Sequence, residues 1–80
     1  MKEVEVRVPK LGMDTTEALV GAWLVQEGEL VNAGTPLLEL ESEKVNFVVE
    51  SEHAGRLSKI VEPAGATVPM GAVLGILETE

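Results

Sequence analysis

Hydrophobic and polar residues alternate along most of this chain in short runs. Residues 2–8 place Val4, Val6 and Val8 on one face and charged side chains on the other, which is the period of a half-buried strand. The same pattern predicts eight strands, at residues 2–8, 15–25, 30–32, 36–42, 45–50, 55–61, 67–69 and 73–79. No segment keeps a helical apolar period over three turns, so the pattern predicts an all-β fold.

Glycines lie between several of the predicted strands. Glycine adopts positive φ without a Cβ clash, so each of these positions suits a tight turn. We expect turns at Gly28, Gly34, Gly55, Gly65 and Gly71.

The chain contains an internal repeat. Residues 27–43 align without a gap on residues 64–80, a shift of 37 residues, with seven identities in seventeen positions. Two copies of one supersecondary unit are therefore expected, related by a quasi-two-fold rotation. We expect two short antiparallel sheets packed face to face, as a sandwich or a flattened barrel, in which the first and last strands meet.

Lys44 has no counterpart in the second copy, which reaches Glu80. It follows Glu41-Ser42-Glu43 and precedes Val45, where two predicted strands meet with almost no room for a loop. A turn lysine between acidic residues is most often only solvated. The repeat makes this one distinctive, because it puts a flexible, modifiable amine at a hairpin tip, at the opposite end of the domain from the termini.

Composition limits the fold to one small domain, residues 1–80, with 45% hydrophobic residues. Trp23 and Phe47 are the only aromatic residues, so the core must consist mainly of aliphatic side chains, with Trp23 packed against it. The sequence has no cysteine, which excludes disulfides and thiolate metal sites. His53 is the only histidine and is expected to be an ordinary loop residue, so no metal site is predicted.

The formal net charge of -8 argues against nucleic acid and favours partners with basic docking patches. Five glutamates flank Lys44 in sequence and form either a solvated rim or a surface for partner selection: Glu39, Glu41, Glu43, Glu50 and Glu52. Residues 19–25, the longest apolar run, are too few to cross a bilayer, and no targeting segment is visible. We expect a bacterial cytoplasmic location, with the mitochondrial matrix as the alternative.

No residue pattern of an enzyme active site occurs in the sequence. There is no Ser/His/Asp or Cys/His arrangement and no glycine-rich phosphate loop. The domain is therefore expected to be non-catalytic by itself.

These motifs resemble the lipoyl domain of 2-oxo acid dehydrogenase acyltransferases, within the biotinyl/lipoyl carrier family. The resemblance covers nearly the whole chain and is most specific around Glu41-Ser42-Glu43-Lys44-Val45, with Gly28 and Gly34 sixteen and ten residues before the lysine and Gly55 eleven after it. Glu43 stands where the family usually has Asp, Val45 where it has Ala, and Glu52-His53 where it tends to have Pro-Ala.

The resemblance implies a flattened β-barrel with lipoate joined to Lys44 through an amide. It implies as partners a lipoate ligase or lipoyl transferase, a thiamine-diphosphate-dependent 2-oxo acid decarboxylase, an acyltransferase core and dihydrolipoyl dehydrogenase. The residues implied in recognition are Glu41, Glu43 and Val45 in the turn and Lys10, Leu11, Gly12 and Met13 in the first long loop. A biotin carrier, whose lysine typically lies between two methionines, and an unmodified adaptor of the same fold are the alternatives.

Overall fold

The computed structural model describes residues 2–9, 16–43 and 45–80. Eight strands and no helix occur in these ranges, which confirms the all-β prediction. The strands are β1 (Lys2–Arg7), β2 (Glu17–Trp23), β3 (Leu30–Val31), β4 (Pro36–Glu41), β5 (Asn46–Glu50), β6 (Gly55–Ile60), β7 (Thr67–Pro69) and β8 (Val73–Thr79). In this part of the chain there is accordingly no helix that could span a membrane.

The strands form two four-stranded antiparallel sheets. Sheet A has the order β1-β8-β6-β3, and sheet B has the order β5-β4-β2-β7. The first and last strands pair, with Lys2 opposite Thr79, as expected. The two sheets pack as a flattened sandwich and do not close into a barrel. The prediction offered both forms, and the sandwich is the one that the structure has.

Aliphatic side chains fill the space between the sheets. The largest side chains that are fully buried are Leu37, Leu38, Leu40, Leu57, Leu74, Leu77, Val20 and Val68. Trp23 packs against this cluster while its indole N–H donates a hydrogen bond to the carbonyl oxygen of Glu62 at 2.7 Å, so its predicted packing role is confirmed. The polar edge of the ring is thereby satisfied without removing its apolar body from the core.

The 37-residue shift relates strands and hydrogen bonds as well as sequence. It carries β2 onto β6, β3 onto β7 and β4 onto β8. The amide of Gly28 donates to the carbonyl oxygen of Leu57 at 2.6 Å, and the amide of Gly65 donates to that of Val20 at 2.8 Å, which is the same bond in the other half. The topology therefore has the predicted two-fold relation, in which each sheet is the counterpart of the other.

Glycine serves two different purposes in this fold. Gly28, Gly34, Gly65 and Gly71 have φ values of 90°, 90°, 95° and 81°, which is the left-handed region expected for turn glycines. Gly55 was predicted as a fifth such turn, and that prediction is wrong. It is the first residue of β6, it is not among the positive-φ residues, and a Cβ there would collide with the carbonyl oxygen of Glu78 in β8. Gly55 is therefore required by close strand approach.

Candidate functional site

The hairpin of β4 and β5 closes with a two-residue link. Glu41 pairs with Asn46 at the end of the ladder, and the amide of Ser42 donates to the carbonyl oxygen of Val45 at 2.9 Å. Only Glu43 and Lys44 stand between Ser42 and Val45 in the sequence. Lys44 itself lies outside the described residues, so its proposed role rests on the turn that brackets it.

The side chain of Ser42 locks this turn. Its hydroxyl donates to the carbonyl oxygen of Val45 at 2.9 Å and accepts from the amide of Val45 at 3.1 Å. Serine hydroxyls commonly bond to nearby backbone in this way and so favour turns. Together with the backbone bond, three hydrogen bonds connect the two residues on either side of Glu43 and Lys44.

The two-fold relation gives this turn a special place in the fold. The pair Glu41–Asn46 in sheet B is the counterpart of the pair Glu78–Glu3 in sheet A. The turn therefore occupies in sheet B the position that the chain ends occupy in sheet A. The prediction that Lys44 and the termini lie at opposite ends of the domain falls on a residue outside the described ranges.

The described residues around the turn are exposed and acidic. Glu41 and Glu43 are exposed, and Val45 retains 42% of its accessible surface. A shallow hollow of about 360 Å³ lies beside the turn and is lined by residues from three strands of sheet B and the turn, among them Glu17, Leu19, Glu41, Ser42, Glu43 and Thr67. The structure thus places Glu41 and Glu43, two of the residues implied in recognition, in the lining of the same hollow.

Two glutamates that flank Lys44 in sequence are not close to the turn. Glu50 pairs with Pro36 at the far end of the hairpin, and Glu52 follows in the connection to β6, so neither adjoins the turn. Lys10, Leu11, Gly12 and Met13 fall outside the described residues. Glu50 and Glu52 are therefore separated in space from the glutamates of the turn, although all five flank Lys44 in sequence.

A larger groove, of about 540 Å³, runs between the edge strands β1 and β5. Its lining includes Val4, Phe47 and His53. His53 is exposed, and the described residues contain no group of His, Cys, Asp or Glu that could hold a metal ion. The described turn residues Glu41, Glu43 and Val45 do not line this groove.

Sequence reasoning missed Ser42, Glu17 and Leu19 as site residues. Ser42 could have been recognised, because a serine before a two-residue link is a known turn-forming signal. Glu17 and Leu19 could not, since only the sheet order shows that β2 lies beside β4 and next to the turn.

The described residues form the all-β, two-sheet fold that the resemblance to the biotinyl/lipoyl carriers implies, with the β4–β5 hairpin closed by hydrogen bonds between Ser42 and Val45. Comparison with known proteins agrees: the biotin/lipoyl family, described as "Biotin-requiring enzyme", matches residues 4–77. The chain belongs to this family.

Relatives and a solved structure narrow the resemblance. A dihydrolipoyllysine-residue succinyltransferase component of the 2-oxoglutarate dehydrogenase complex from Bartonella vinsonii is 47% identical, over 92% of this chain and 18% of that protein. A dihydrolipoyllysine-residue acetyltransferase component of the acetoin cleaving system from Cupriavidus necator is 39% identical, over 92% and 20%. The chain spans about a fifth of the length of these relatives.

The solution structure of the lipoyl domain of the 2-oxoglutarate dehydrogenase complex from Azotobacter vinelandii matches with a TM-score of 0.78 and 28% identity, covering 95% of this chain and 96% of that one. The fold is therefore that of a lipoyl domain, and the resemblance inferred from the sequence is confirmed.

Proposed function

We propose that Lys44 carries lipoate through an amide bond and that the domain is a swinging-arm carrier in a 2-oxo acid dehydrogenase complex. The observation that carries this proposal is the closed turn, in which three hydrogen bonds join Ser42 to Val45 across Glu43 and Lys44. A tightly held turn fixes where the attachment point is offered to an enzyme. An exposed lysine has a flexible stem and an amine that can be acylated.

The residues of this chain supply position, and the cofactor supplies the covalent chemistry. Lipoate held at Lys44 would supply a dithiolane, whose disulfide can take up an acyl group together with two electrons and can later be restored. Tethering keeps the arm at high effective concentration beside each partner, which compensates for weak docking.

The proposed partners are the enzymes that would load, use and regenerate the lipoyl group. A lipoate ligase or lipoyl transferase attaches the cofactor, a thiamine-diphosphate-dependent 2-oxo acid decarboxylase acylates it, an acyltransferase core removes the acyl group, and dihydrolipoyl dehydrogenase restores the disulfide. The relatives named as dihydrolipoyllysine-residue acyltransferase components support this assignment. We place the chain in an acyltransferase component, as a domain that has no catalytic role of its own.

Lipoate is favoured over biotin by the residues around the lysine. Biotin carriers typically place it between two methionines, whereas Glu43 and Val45 are the neighbours of Lys44. The relatives described above are also dihydrolipoyllysine-residue transferases by name, not biotin proteins.

The test is the intact mass of the purified domain after incubation with ATP under two conditions, one with lipoate and a lipoate ligase and one with biotin and a biotin ligase. We expect one lipoyl increment in the first reaction and no change in the second. A biotinyl increment would assign the domain to the biotin carriers, and no increment in either reaction would overturn the carrier proposal.

A further inference from the structure

The two sheets share one backbone plan but carry opposite charge patterns. The strands of sheet B contain four glutamates and no Lys or Arg: Glu17, Glu39, Glu41 and Glu50. The strands of sheet A contain three glutamates and four cations: Glu3, Glu5, Glu78, Lys2, Arg7, Arg56 and Lys59. Among the described residues, sheet B alone therefore carries uncompensated negative charge.

Equivalent positions show how this difference is built. In sheet A, Arg56 lies directly opposite Glu78, where a cation faces a carboxylate across the strands. The same position in sheet B holds Leu19, directly opposite Glu41. The backbone evidently accommodates an arginine at this position, so the leucine is not dictated by the fold.

The edge strands β1 of sheet A and β5 of sheet B show the same difference in charge. In sheet A, Arg7 forms an ion pair with Glu5 at 2.5 Å. The counterparts of these two residues in β5 are Glu50 and Val48. An ion pair on one sheet is thus replaced by an apolar side chain and an acidic one on the other.

The outer face of sheet B consequently combines exposed apolar groups with carboxylates. Leu19 is 38% exposed and Val48 is 42% exposed, and the cross-strand register places Leu19 beside Glu41 and Val48 beside Glu39. Glu17 completes the group next to the turn. We call these five residues, Glu17, Leu19, Glu39, Glu41 and Val48, the acidic face. Protein interfaces commonly combine an apolar centre with a polar rim.

The hollow beside the turn indicates the chemistry of the partner. It has a volume of about 360 Å³, and Leu19 lines it together with three acidic residues, Glu17, Glu41 and Glu43. An arginine or lysine side chain fits such a hollow, because its aliphatic stem can cover the leucine while its charge lies among the carboxylates.

We propose that the acidic face is the docking surface for the 2-oxo acid decarboxylase that acylates the arm, through basic residues beside the entrance of its active site. The proposal rests on the carrier function given above. The acidic face adjoins the turn that bears Lys44, so a protein seated on it has the arm at its own surface. Complementary charge speeds and orients such an encounter, and it gives specificity at the step that commits the acyl group to the carrier.

The pseudo-symmetry supplies matched variants for the test. Leu19→Arg introduces on sheet B the cation that sheet A holds at the same position, and Arg56→Leu makes the reverse change on sheet A. All proteins are first lipoylated and checked by intact mass and thermal unfolding. Reductive acylation is then measured with purified 2-oxoglutarate, pyruvate and branched-chain 2-oxo acid decarboxylases, and the one that acylates wild type fastest is used for the variants, with free lipoamide as the undocked substrate.

We expect Leu19→Arg to lower kcat/KM for acylation of the domain about tenfold and to weaken its dependence on salt, while Arg56→Leu stays within about twofold of wild type and acylation of free lipoamide is the same throughout. Screening by salt should slow acylation of the wild-type domain. Equal effects of the two variants, an unchanged salt dependence, or failure of all three decarboxylases to acylate the lipoylated wild type would overturn the proposal. So would loss of lipoylation in Leu19→Arg with normal acylation of the modified fraction, since the ligase would then be the occupant. Failure of wild type to gain a lipoyl group would instead overturn the carrier function.

Discussion

Ser42 closes the turn between β4 and β5 by hydrogen bonds to Val45. Its backbone amide and its hydroxyl both donate to the carbonyl oxygen of Val45, and the hydroxyl also accepts from the amide of Val45. Because one hydroxyl makes both bonds to Val45, this short turn is closed without further loop residues. One side chain and one backbone hydrogen bond thus join the residues that bracket Lys44, the proposed attachment point.

Removing the Ser42 hydroxyl should therefore lower the rate of lipoylation clearly while lowering the free energy of unfolding only modestly. For Ser42→Ala we expect a loss of about 1 kcal/mol in the free energy of unfolding, measured by urea titration, because a partly exposed hydroxyl contributes a modest net amount. The rate of enzymatic lipoylation should fall severalfold. Ser42→Thr retains the hydroxyl and should restore most of that rate. A normal rate in Ser42→Ala would show that the hydroxyl does not position the lysine.

At the scale of elements, the strand pairs define where glycine is needed. Gly28 lies in a turn with φ of 90° and has no atom within 4 Å of an added Cβ. Gly55 lies in β6, where an added Cβ would be 3.1 Å from the carbonyl carbon of Glu78 and closer still to its oxygen. Gly28 is needed for its positive φ, and Gly55 is needed because a Cβ would collide with Glu78.

Asparagine distinguishes these two demands, because it tolerates the left-handed region better than other side chains but still has a Cβ. We expect Gly28→Asn to lower the free energy of unfolding by about 1 kcal/mol or less. Gly55→Asn should lower it by about 3 kcal/mol or more, since overpacking forces the backbone to move. Urea unfolding of both variants checks this order. Equal losses would mean that Gly55 is needed for its conformation after all.

The elements also show what the sequence could and could not predict. Alternation and the repeat predicted all eight strands and the pairing of the first with the last, because both patterns can be read from the sequence without knowing the order of strands in each sheet. The reason for Gly55 was not predictable, since it depends on Glu78 in a distant strand. The exposure of Leu19 and its place beside the turn likewise depend on the order of strands in sheet B. Predicting either one requires the tertiary arrangement.

At the scale of the molecule, the two-fold relation means that the two sheets contribute equivalent side chains to the core. Leu40 in β4 and Leu77 in β8 are counterparts, with 0% and 1% exposure. Each lies on an inner strand of its own sheet and belongs to the buried core cluster. A domain of this size has a total stability of only about 4–12 kcal/mol, so each of these side chains accounts for a large part of it.

Truncating either leucine should therefore have a similar effect. We expect Leu40→Ala and Leu77→Ala each to lower the free energy of unfolding by about 2–5 kcal/mol. Leu30, which is 71% exposed, is the control, and Leu30→Ala should change stability by about 0.5 kcal/mol or less. Chemical denaturation of the three variants measures this. A large loss at only one of the buried positions would show that the halves do not share the core equally.

The most direct test of the central claim is to locate the modification. Wild type, Lys44→Arg and Lys59→Arg are each incubated with lipoate ligase, lipoate and ATP, and the products are examined by intact mass and by peptide fragmentation. We predict one lipoyl group on wild type and on Lys59→Arg, attached at Lys44 in both, and none on Lys44→Arg with its fold unchanged. A lipoyl group on Lys44→Arg, or its attachment to another lysine of wild type, would contradict the assignment of Lys44 as the carrier residue.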